Sequence, residues 1–143
     1  MAFNRKSLKF KIGFFPGVWD LCHIGHIRAI QEAKNKCDWL IIGVNGSPTK
    51  GNPKKNKPIM SWQERMEMVK SIKGVDEVLL YPDDEVLRIL DKKNPLKIDI
   101  RFMGADHRGK KHHKINAKII YISRNHDYSS TKLRKRIYEA KII

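Results

Sequence analysis

Short apolar runs alternate with amphipathic segments along most of the chain. Each run ends at polar or turn-forming residues, which is typical of strands. The runs predict five strands, at residues 10–15, 39–44, 77–81, 98–103 and 118–122. The run at 39–44 contains no polar group beyond an indole, as expected of a strand that a parallel sheet buries on both faces.

The segments between the runs carry apolar residues at helical spacing. Ser61 and Glu64 match the capping box that opens a helix. Helices are predicted at residues 24–35, from 61 onward, at 84–92 and at 129–140, the last with Leu133 and Ile137 on its buried side. Single helices between strands indicate βαβ units. We therefore expect an α/β fold: a single Rossmann-like domain over residues 1–143, with its core at about 10–140. Its five-stranded, mainly parallel sheet carries helices on both faces.

Groups that bind phosphate follow the predicted strands. In open parallel sheets, ligands bind beyond the carboxyl ends of the strands. Four such segments are rich in histidine, lysine, arginine or serine: residues 23–26, 45–60, 104–110 and 124–131. The chain contains neither GxxxxGK[ST] nor GxGxxG, so the predicted phosphate site is of another kind.

The stretch His23-Ile24-Gly25-His26 is the most informative of the four. It opens the first predicted helix, whose N-terminus favours anions. The two imidazoles, three residues apart, add donors on one face, and Gly25 allows close approach of a ligand to the backbone. This pattern suggests chemistry on a nucleoside triphosphate. Asp20 is expected to hold the preceding loop through backbone N–H groups.

Charge and composition narrow the functional classes. The formal net charge of +15 fits either a nucleic acid or a small phosphorylated substrate. The chain lacks an RNP-like aromatic strand and zinc-finger spacing, which favours the small substrate. No metal-ligand spacing is recognised. No apolar run approaches the about 20 residues of a membrane span, and the two cysteines are expected to be reduced, so a cytoplasmic protein is expected.

Taken together, the motifs resemble the nucleotidyltransferase superfamily that carries the HxGH motif, and within it the glycerol-3-phosphate cytidylyltransferase family. The resemblance runs from about residue 11 to residue 138, in family order. It rests on the segments Gly17 to His26, Pro58 to Arg65, Gly74 to Val78, Phe102 to Asp106 and Ser129 to Lys132.

This resemblance implies that CTP and a phosphorylated alcohol give a CDP-alcohol and pyrophosphate, with Mg²⁺ as cofactor and a homodimer as the assembly. It implies catalytic roles for His23, His26, Lys57 and Arg124. Nucleotide contacts are implied for Gly17, Val18, Trp19, Gly25, Asp106, Arg124, Ser129, Ser130 and Thr131, and substrate-phosphate contacts for Lys54 and Arg65.

Two alternatives stay open at this point. The first is an adenylyltransferase that uses ATP on a sugar phosphate or an FMN-like acceptor. The second is a basic RNA-binding module on an inactive fold. Departures from the family pattern bear on the choice of substrate: Val18 replaces a threonine, Trp19 a phenylalanine, Asn56 a lysine and His107 an aromatic residue.

Overall fold

The computed structural model describes residues 9–123 and 128–140. Five strands and four α-helices alternate along the chain. The strands are β1 (Ile12–Gly17), β2 (Trp39–Asn45), β3 (Glu77–Tyr81), β4 (Ile100–Gly104) and β5 (Lys118–Ile122). The helices are α1 (Ile24–Lys34), α2 (Trp62–Lys70), α3 (Asp84–Lys93) and α4 (Ser130–Glu139), and a short 3₁₀ turn, Ala105–His107, follows β4.

All strands lie in one parallel sheet, in the order β3-β2-β1-β4-β5. The chain builds outward from β1 through β2 to β3, and then crosses over to β4 and β5. The switch point of this doubly wound sheet therefore lies between the carboxyl ends of β1 and β4, where ligands bind in such folds. The predicted Rossmann-like α/β fold is confirmed.

The first strand differs from its predicted bounds. Pro16 and Gly17, predicted as a turn, are the last two residues of β1 and pair with Gly43 and Val44 of β2. The apolar run ends at Phe15, but the backbone stays extended. β1 pairs with β4 only through Gly13 and Phe14, so Pro16 lies where the strand has a partner on one side only, as on an edge strand. The strand thus carries Gly17 up to the switch point.

The two faces of the sheet are packed differently. The face beneath α1 and α2 is apolar and holds the main core, which includes Phe15, Ile30, Ile42, Val69 and Phe102. The opposite face, beneath α3, contains buried charge. There Arg101 of β4 binds Asp91 of α3 through two hydrogen bonds of 3.0 Å each. Both side chains are about 95% buried, so this ion pair fills a position between α3 and the sheet that apolar side chains usually occupy.

Helix caps agree with the sequence patterns. Ser61 accepts from the Glu64 N–H, and Glu64 accepts in return from the Ser61 N–H. Asp83 caps α3 by accepting from Val86, and Ser129 caps α4 by accepting from Lys132. None of the helices in the described part of the chain is long and apolar enough to cross a membrane.

Candidate functional site

Two clefts meet at the switch point. The first, of about 370 Å³, opens between β1, α1, the turn after β4 and the start of α4. The second, of about 690 Å³, lies on the α3 side of the sheet. Gly17, Val18, Gly104 and His107 line both clefts. A ligand in one cleft can therefore approach a ligand in the other over the ends of β1 and β4.

His23 and His26 build the start of α1. His23 is its N-cap, and its Nδ1 accepts a hydrogen bond of 3.1 Å from the Gly25 N–H. The Nδ1 of His26 accepts in turn from the His23 N–H at 3.3 Å. The two rings stack with their centroids 3.9 Å apart. The pair thus forms a capping box in which imidazoles take the usual places of serine and glutamate.

This arrangement determines which ring nitrogen carries the proton. Because Nδ1 of each ring accepts from a backbone N–H, each neutral ring carries its hydrogen on Nε2. Burial, and then the neighbouring His23, lower the pKa of His26 to about 3. His26 is therefore a neutral imidazole near pH 7. Both rings line the first cleft, so the site offers imidazole N–H donors to a ligand, and that of His26 is on a neutral ring.

A helix N-terminus ordinarily offers unpaired backbone N–H groups to an anion, but three of those of α1 already have partners. The Gly25 N–H is bonded to the His23 ring, and the N–H groups of His26 and Ile27 are bonded to the His23 carbonyl. These three N–H groups are therefore already hydrogen-bonded to His23, the N-cap residue. Anion binding at α1 must therefore rely on the ring N–H groups and the helix dipole more than on these backbone amides.

Trp19 packs against the His26 ring and helps to hold its position. Its ring packs edge-on against His26 with centroids 5.3 Å apart, and its Nε1 donates to the Gly43 carbonyl at 2.9 Å. A Cβ atom on Gly17 would come within 3.0 Å of this indole. Trp19 and Leu21 both have positive φ angles, of 58° and 60°. Such backbone strain on bulky residues is found mainly at functional sites.

Asp20 joins three segments around the site, and the backbone N–H groups that it binds belong to the lysine-rich loop (residues 46–60) rather than to its own loop, where they were predicted. Its carboxylate accepts from the N–H groups of Ile59 and Met60, and from Arg134 Nη2 at 2.8 Å. Burial alone would raise the Asp20 pKa, but these hydrogen bonds and the Arg134 charge outweigh it and lower the pKa. Asp20 is thus an anionic anchor that connects the loop before α1, the end of the lysine-rich loop and α4.

Arg65 does not reach either cleft. It is only 2% exposed, and its guanidinium donates to the backbone carbonyls of Val18, Asn45 and Met60. The substrate-phosphate prediction for Arg65 is therefore wrong. The buried guanidinium joins the end of β2, the segment after β1 and the residue before the N-cap of α2, which is a structural role.

The lysine-rich loop is tied to α3. Lys50 binds Asp83 at 3.0 Å, and Lys55 lies 3.7 Å from Asp84. Lys55 lines the second cleft. Lys54 and Lys57, for which phosphate contact and catalysis were predicted, have exposed side chains that line neither cleft. Their predicted roles would require the loop to move toward the switch point.

The remaining predicted residues are divided between the first cleft and positions outside it. Gly17, Val18, Gly25, Asp106, Ser129 and Ser130 line the first cleft together with Trp19 and both histidines. Ser130 already donates from Oγ to the Asp20 carbonyl at 3.0 Å. Thr131 is exposed and does not line the cleft, and Arg124 lies outside the described residues.

The last helix is held mainly by polar contacts. None of its residues is fully buried, and Ile137, predicted to face the core, is 59% exposed. Besides the Ser130 contact, Arg134 bridges Asp20 and the Lys57 carbonyl. The helical spacing of Leu133 and Ile137 is correct, but α4 lies beyond the edge of the core.

A resident metal centre is not found within residues 9–123 and 128–140, where no three potential ligands cluster. Asp106 supplies a partly exposed carboxylate to the first cleft. That chemistry suits a magnesium ion that enters with a triphosphate, since Mg²⁺ keeps several waters and uses few protein carboxylates.

Several cleft residues were not predicted from the sequence. Arg88, Lys111, His112 and His113 line the second cleft. The phosphate-binding segment after the fourth strand was predicted to end at residue 110, but the basic run continues through Lys114. That uninterrupted charge was the available signal. The position of Arg88 beside it depends on the crossover from β3 to β4, which the sequence pattern alone does not place.

Comparison with known proteins places the chain in a family. A family model described as cytidylyltransferase-like matches residues 14–136. Among curated proteins, the bifunctional protein HldE of Caulobacter vibrioides is 34% identical over 98 residues, which are 68% of this chain and 20% of that protein. HldE of Campylobacter concisus is 30% identical over 138 residues, 93% of this chain and 28% of that protein. The chain thus corresponds to a minor part of either relative.

Solved structures share the fold. A lipopolysaccharide core biosynthesis protein from Thermoplasma volcanium superposes with a TM-score of 0.64 at 23% identity, covering 81% of this chain and 98% of that one. A protein described as a nicotinate-nucleotide adenylyltransferase from Vibrio parahaemolyticus gives 0.59 at 14% identity, covering 91% and 88%. With the family model matched over most of its length, the chain belongs to the cytidylyltransferase-like family of nucleotidyltransferases.

Proposed function

We propose that this protein transfers a nucleotidyl group from a nucleoside triphosphate to the phosphate of a small acceptor, with release of pyrophosphate. The observation that carries the proposal is the stacked pair His23 and His26 at the switch point, in which burial keeps His26 a neutral imidazole near pH 7. These rings offer Nε2–H donors in a cleft large enough for a nucleotide. Neutral donors suit an anion whose charge grows during reaction.

The proposed step is an in-line displacement at the α-phosphorus. An oxygen of the acceptor phosphate forms the new P–O bond, and the bond from the α-phosphorus to the bridging α–β oxygen breaks. The electron pair leaves on pyrophosphate. The nucleophile is already an anion, so no general base is needed, and positioning and charge stabilisation supply the catalysis. Removing one such donor typically costs about 10²–10³ in rate.

The base of the donor nucleotide distinguishes adenylyl transfer from cytidylyl transfer. We favour ATP and a phosphorylated sugar. Two neighbours in fold support this choice by their descriptions, one as an adenylyltransferase and one as a protein of lipopolysaccharide core biosynthesis. CTP with an alcohol phosphate is the second candidate, because the sequence motifs resemble glycerol-3-phosphate cytidylyltransferases. Mg²⁺ would enter with the triphosphate beside Asp106. The homodimer stays a prediction of the resemblance.

A thermal-stability measurement separates these candidates. The protein is heated with Mg²⁺ and, separately, ATP, CTP, GTP or UTP. A ligand of the native state stabilises by about 2.7 kcal/mol at 100 times its Kd. A rise in Tm with ATP alone supports adenylyl transfer, and a rise with CTP alone supports cytidylyl transfer. A protein that none of the four stabilises, but that binds mixed RNA with a steep salt dependence, would refute the proposal.

A further inference from the structure

The second cleft lies across the switch point from the histidine pair. Its floor is the α3 face of the sheet, where Tyr81, Arg101 and Met103 point away from the apolar core. At about 690 Å³ it is large enough for a small phosphorylated compound. It shares Gly17 and Gly104 with the first cleft.

The charges around this cleft are unbalanced. Among the described residues, four normally cationic side chains line it, namely Lys55, Arg88, Arg101 and Lys111, against one carboxylate, that of Asp84. Arg101 is neutralised by Asp91, and Lys55 lies near Asp84. Within the described residues, neither Arg88 nor Lys111 forms an ion pair with a carboxylate. A surplus of positive charge therefore faces the cleft, where a dianionic phosphate would be attracted.

The surplus depends on one loop segment. We call residues 108–114, Arg-Gly-Lys-Lys-His-His-Lys, the basic segment. His113 attaches it to the fold, because its Nε2 lies 2.5 Å from Asp91 Oδ2. Asp91 is buried and is itself held by Arg101. This buried carboxylate thus fixes the point where the basic segment crosses the cleft, and Lys111 and His112 line the cleft beside that point.

We propose that the second cleft is the acceptor site, and that Arg88, Lys111 and His112 bind the acceptor's phosphate. His113 is a positioning residue that holds the basic segment through Asp91. This inference rests on the proposed nucleotidyl transfer, because it takes the first cleft to be the nucleotide site. Asn45 and Asp84, joined by a hydrogen bond of 2.9 Å, line the same cleft and offer polar groups for the hydroxyls of a sugar or polyol.

Binding is tested first, without turnover. The probes are mannose 1-phosphate and glycerol 3-phosphate, with unphosphorylated mannose and glycerol as controls. The imidazole signals of the histidines, assigned by single substitution, are followed by NMR during each titration. The expected result is that a phosphorylated probe shifts the signals of His112 and His113 and that its unphosphorylated counterpart does not. Shifts confined to His23 and His26, or no shift with either probe, would overturn the proposal.

Variants then test the residue assignments. Lys111→Ala and Arg88→Ala are each expected to raise the acceptor's Kd or KM about tenfold, the usual effect of losing one charge-assisted hydrogen bond, with nucleotide affinity unchanged. Lys110→Ala is the matched control, since this neighbouring lysine of the basic segment lines neither cleft. Equal effects of Lys110→Ala and Lys111→Ala would contradict a specific site.

The positioning role of His113 has its own readout. His113→Ala should raise the acceptor's KM with little change in kcat, because the reacting atoms are untouched. His113→Gln should restore much of the affinity, since its amide nitrogen can still donate to Asp91. If the Gln variant behaves like the Ala variant, the anchoring role is wrong.

The two proposals fail in different ways. Should pyrophosphate release proceed at an unchanged acceptor KM in the Arg88→Ala and Lys111→Ala variants, the acceptor-site proposal fails and nucleotidyl transfer stands. Should the probes bind at His112 while no nucleotide binds or turns over, the proposed function fails and with it the acceptor role of the cleft.

Discussion

His23 and His26 use their two ring nitrogens for different purposes. In each ring, Nδ1 is occupied by a backbone N–H of α1, so the geometry of the helix start fixes the tautomer and leaves the proton on Nε2. An HxGH motif thus builds its own helix cap and its own donors from the same two side chains. This explains why spacing in the motif matters as much as composition.

The low pKa of His26 predicts a pH dependence of stability. From pH 6.5 down to about 3, the unfolded state binds a proton at this ring and the folded state does not. The free energy of unfolding should therefore decrease with falling pH in that window, by up to about 1.4 kcal/mol per pH unit from this group. His26→Asn, whose Oδ1 can still accept from the His23 N–H, should remove that contribution.

Urea unfolding of wild type and His26→Asn between pH 4.5 and 7 checks this prediction. The expected result is that the wild type loses more stability than the variant on acidification, and that the difference in slope decreases toward pH 7 as the ring becomes neutral in the unfolded state too. Parallel curves over the whole range would show that the His26 ring titrates normally in the folded protein.

Arg65 is predicted to be a stability residue. Arg65→Ala leaves three buried or partly buried carbonyls without their donor and opens a cavity, so we expect a loss of about 3 kcal/mol or more in the free energy of unfolding. Arg136→Ala, at an exposed arginine of α4, should change it by less than about 0.5 kcal/mol. Chemical denaturation gives the free energy of unfolding of both variants. Similar losses in the two would contradict the structural role of Arg65.

At the scale of elements, α4 is held in place by Asp20. Its attachments in the described residues are chiefly polar, through Ser130 and Arg134. Arg134→Ala should therefore loosen the helix without unfolding the sheet. Because Arg134 also contacts the Lys57 carbonyl, the end of the lysine-rich loop should loosen with it.

Hydrogen exchange can measure this coupling. Amides of α4 and the amides of Ile59 and Met60, which donate to Asp20, should lose about tenfold protection or more in Arg134→Ala, whereas amides of α1 and the central strands keep theirs. Arg136→Ala serves as the control on the same helix. Unchanged protection at Ile59 and Met60 would mean that Asp20 alone holds the loop end.

Elements differ in how far the sequence predicts them. The bounds of β3 and β5 and the Ser61 cap follow from local patterns, because apolar runs and caps depend on near neighbours. Arg65 and Trp19 could not be placed in this way. Their partners, Asn45 and Gly43, are more than 18 residues distant in sequence and become neighbours only when the sheet forms.

On the scale of the whole molecule, sheet order determines where chemistry is possible. The switch point follows from the strand order β3-β2-β1-β4-β5. Right-handed crossovers favour this order, but the sequence pattern alone does not determine which strands are neighbours. The part of the first cleft that β1 and α1 form could be predicted because residues 17–26 are contiguous in sequence. The second cleft draws on α3, the lysine-rich loop and the basic segment, so its composition becomes visible only in three dimensions.

The net charge of +15 is a property of the whole molecule and predicts how it binds polyanions. We expect weak binding to mixed RNA at low salt that disappears steeply as salt rises, because it depends on many phosphate contacts. Nucleotide binding in the first cleft should persist, since few ions are released there. Fluorescence titrations at 50 and 200 mM salt test this, and RNA affinity that survives at the higher concentration would favour a dedicated RNA-binding role.

Pyrophosphate release tests directly whether the histidine pair promotes nucleotidyl transfer. Wild type and His26→Ala are compared with Mg²⁺, ATP or CTP and a panel of sugar and alcohol phosphates, after circular dichroism has shown that both are folded. The account predicts acceptor-dependent release by the wild type and a rate about 10²–10³ lower in the variant. A folded His26→Ala protein that turns over at the wild-type rate would contradict it.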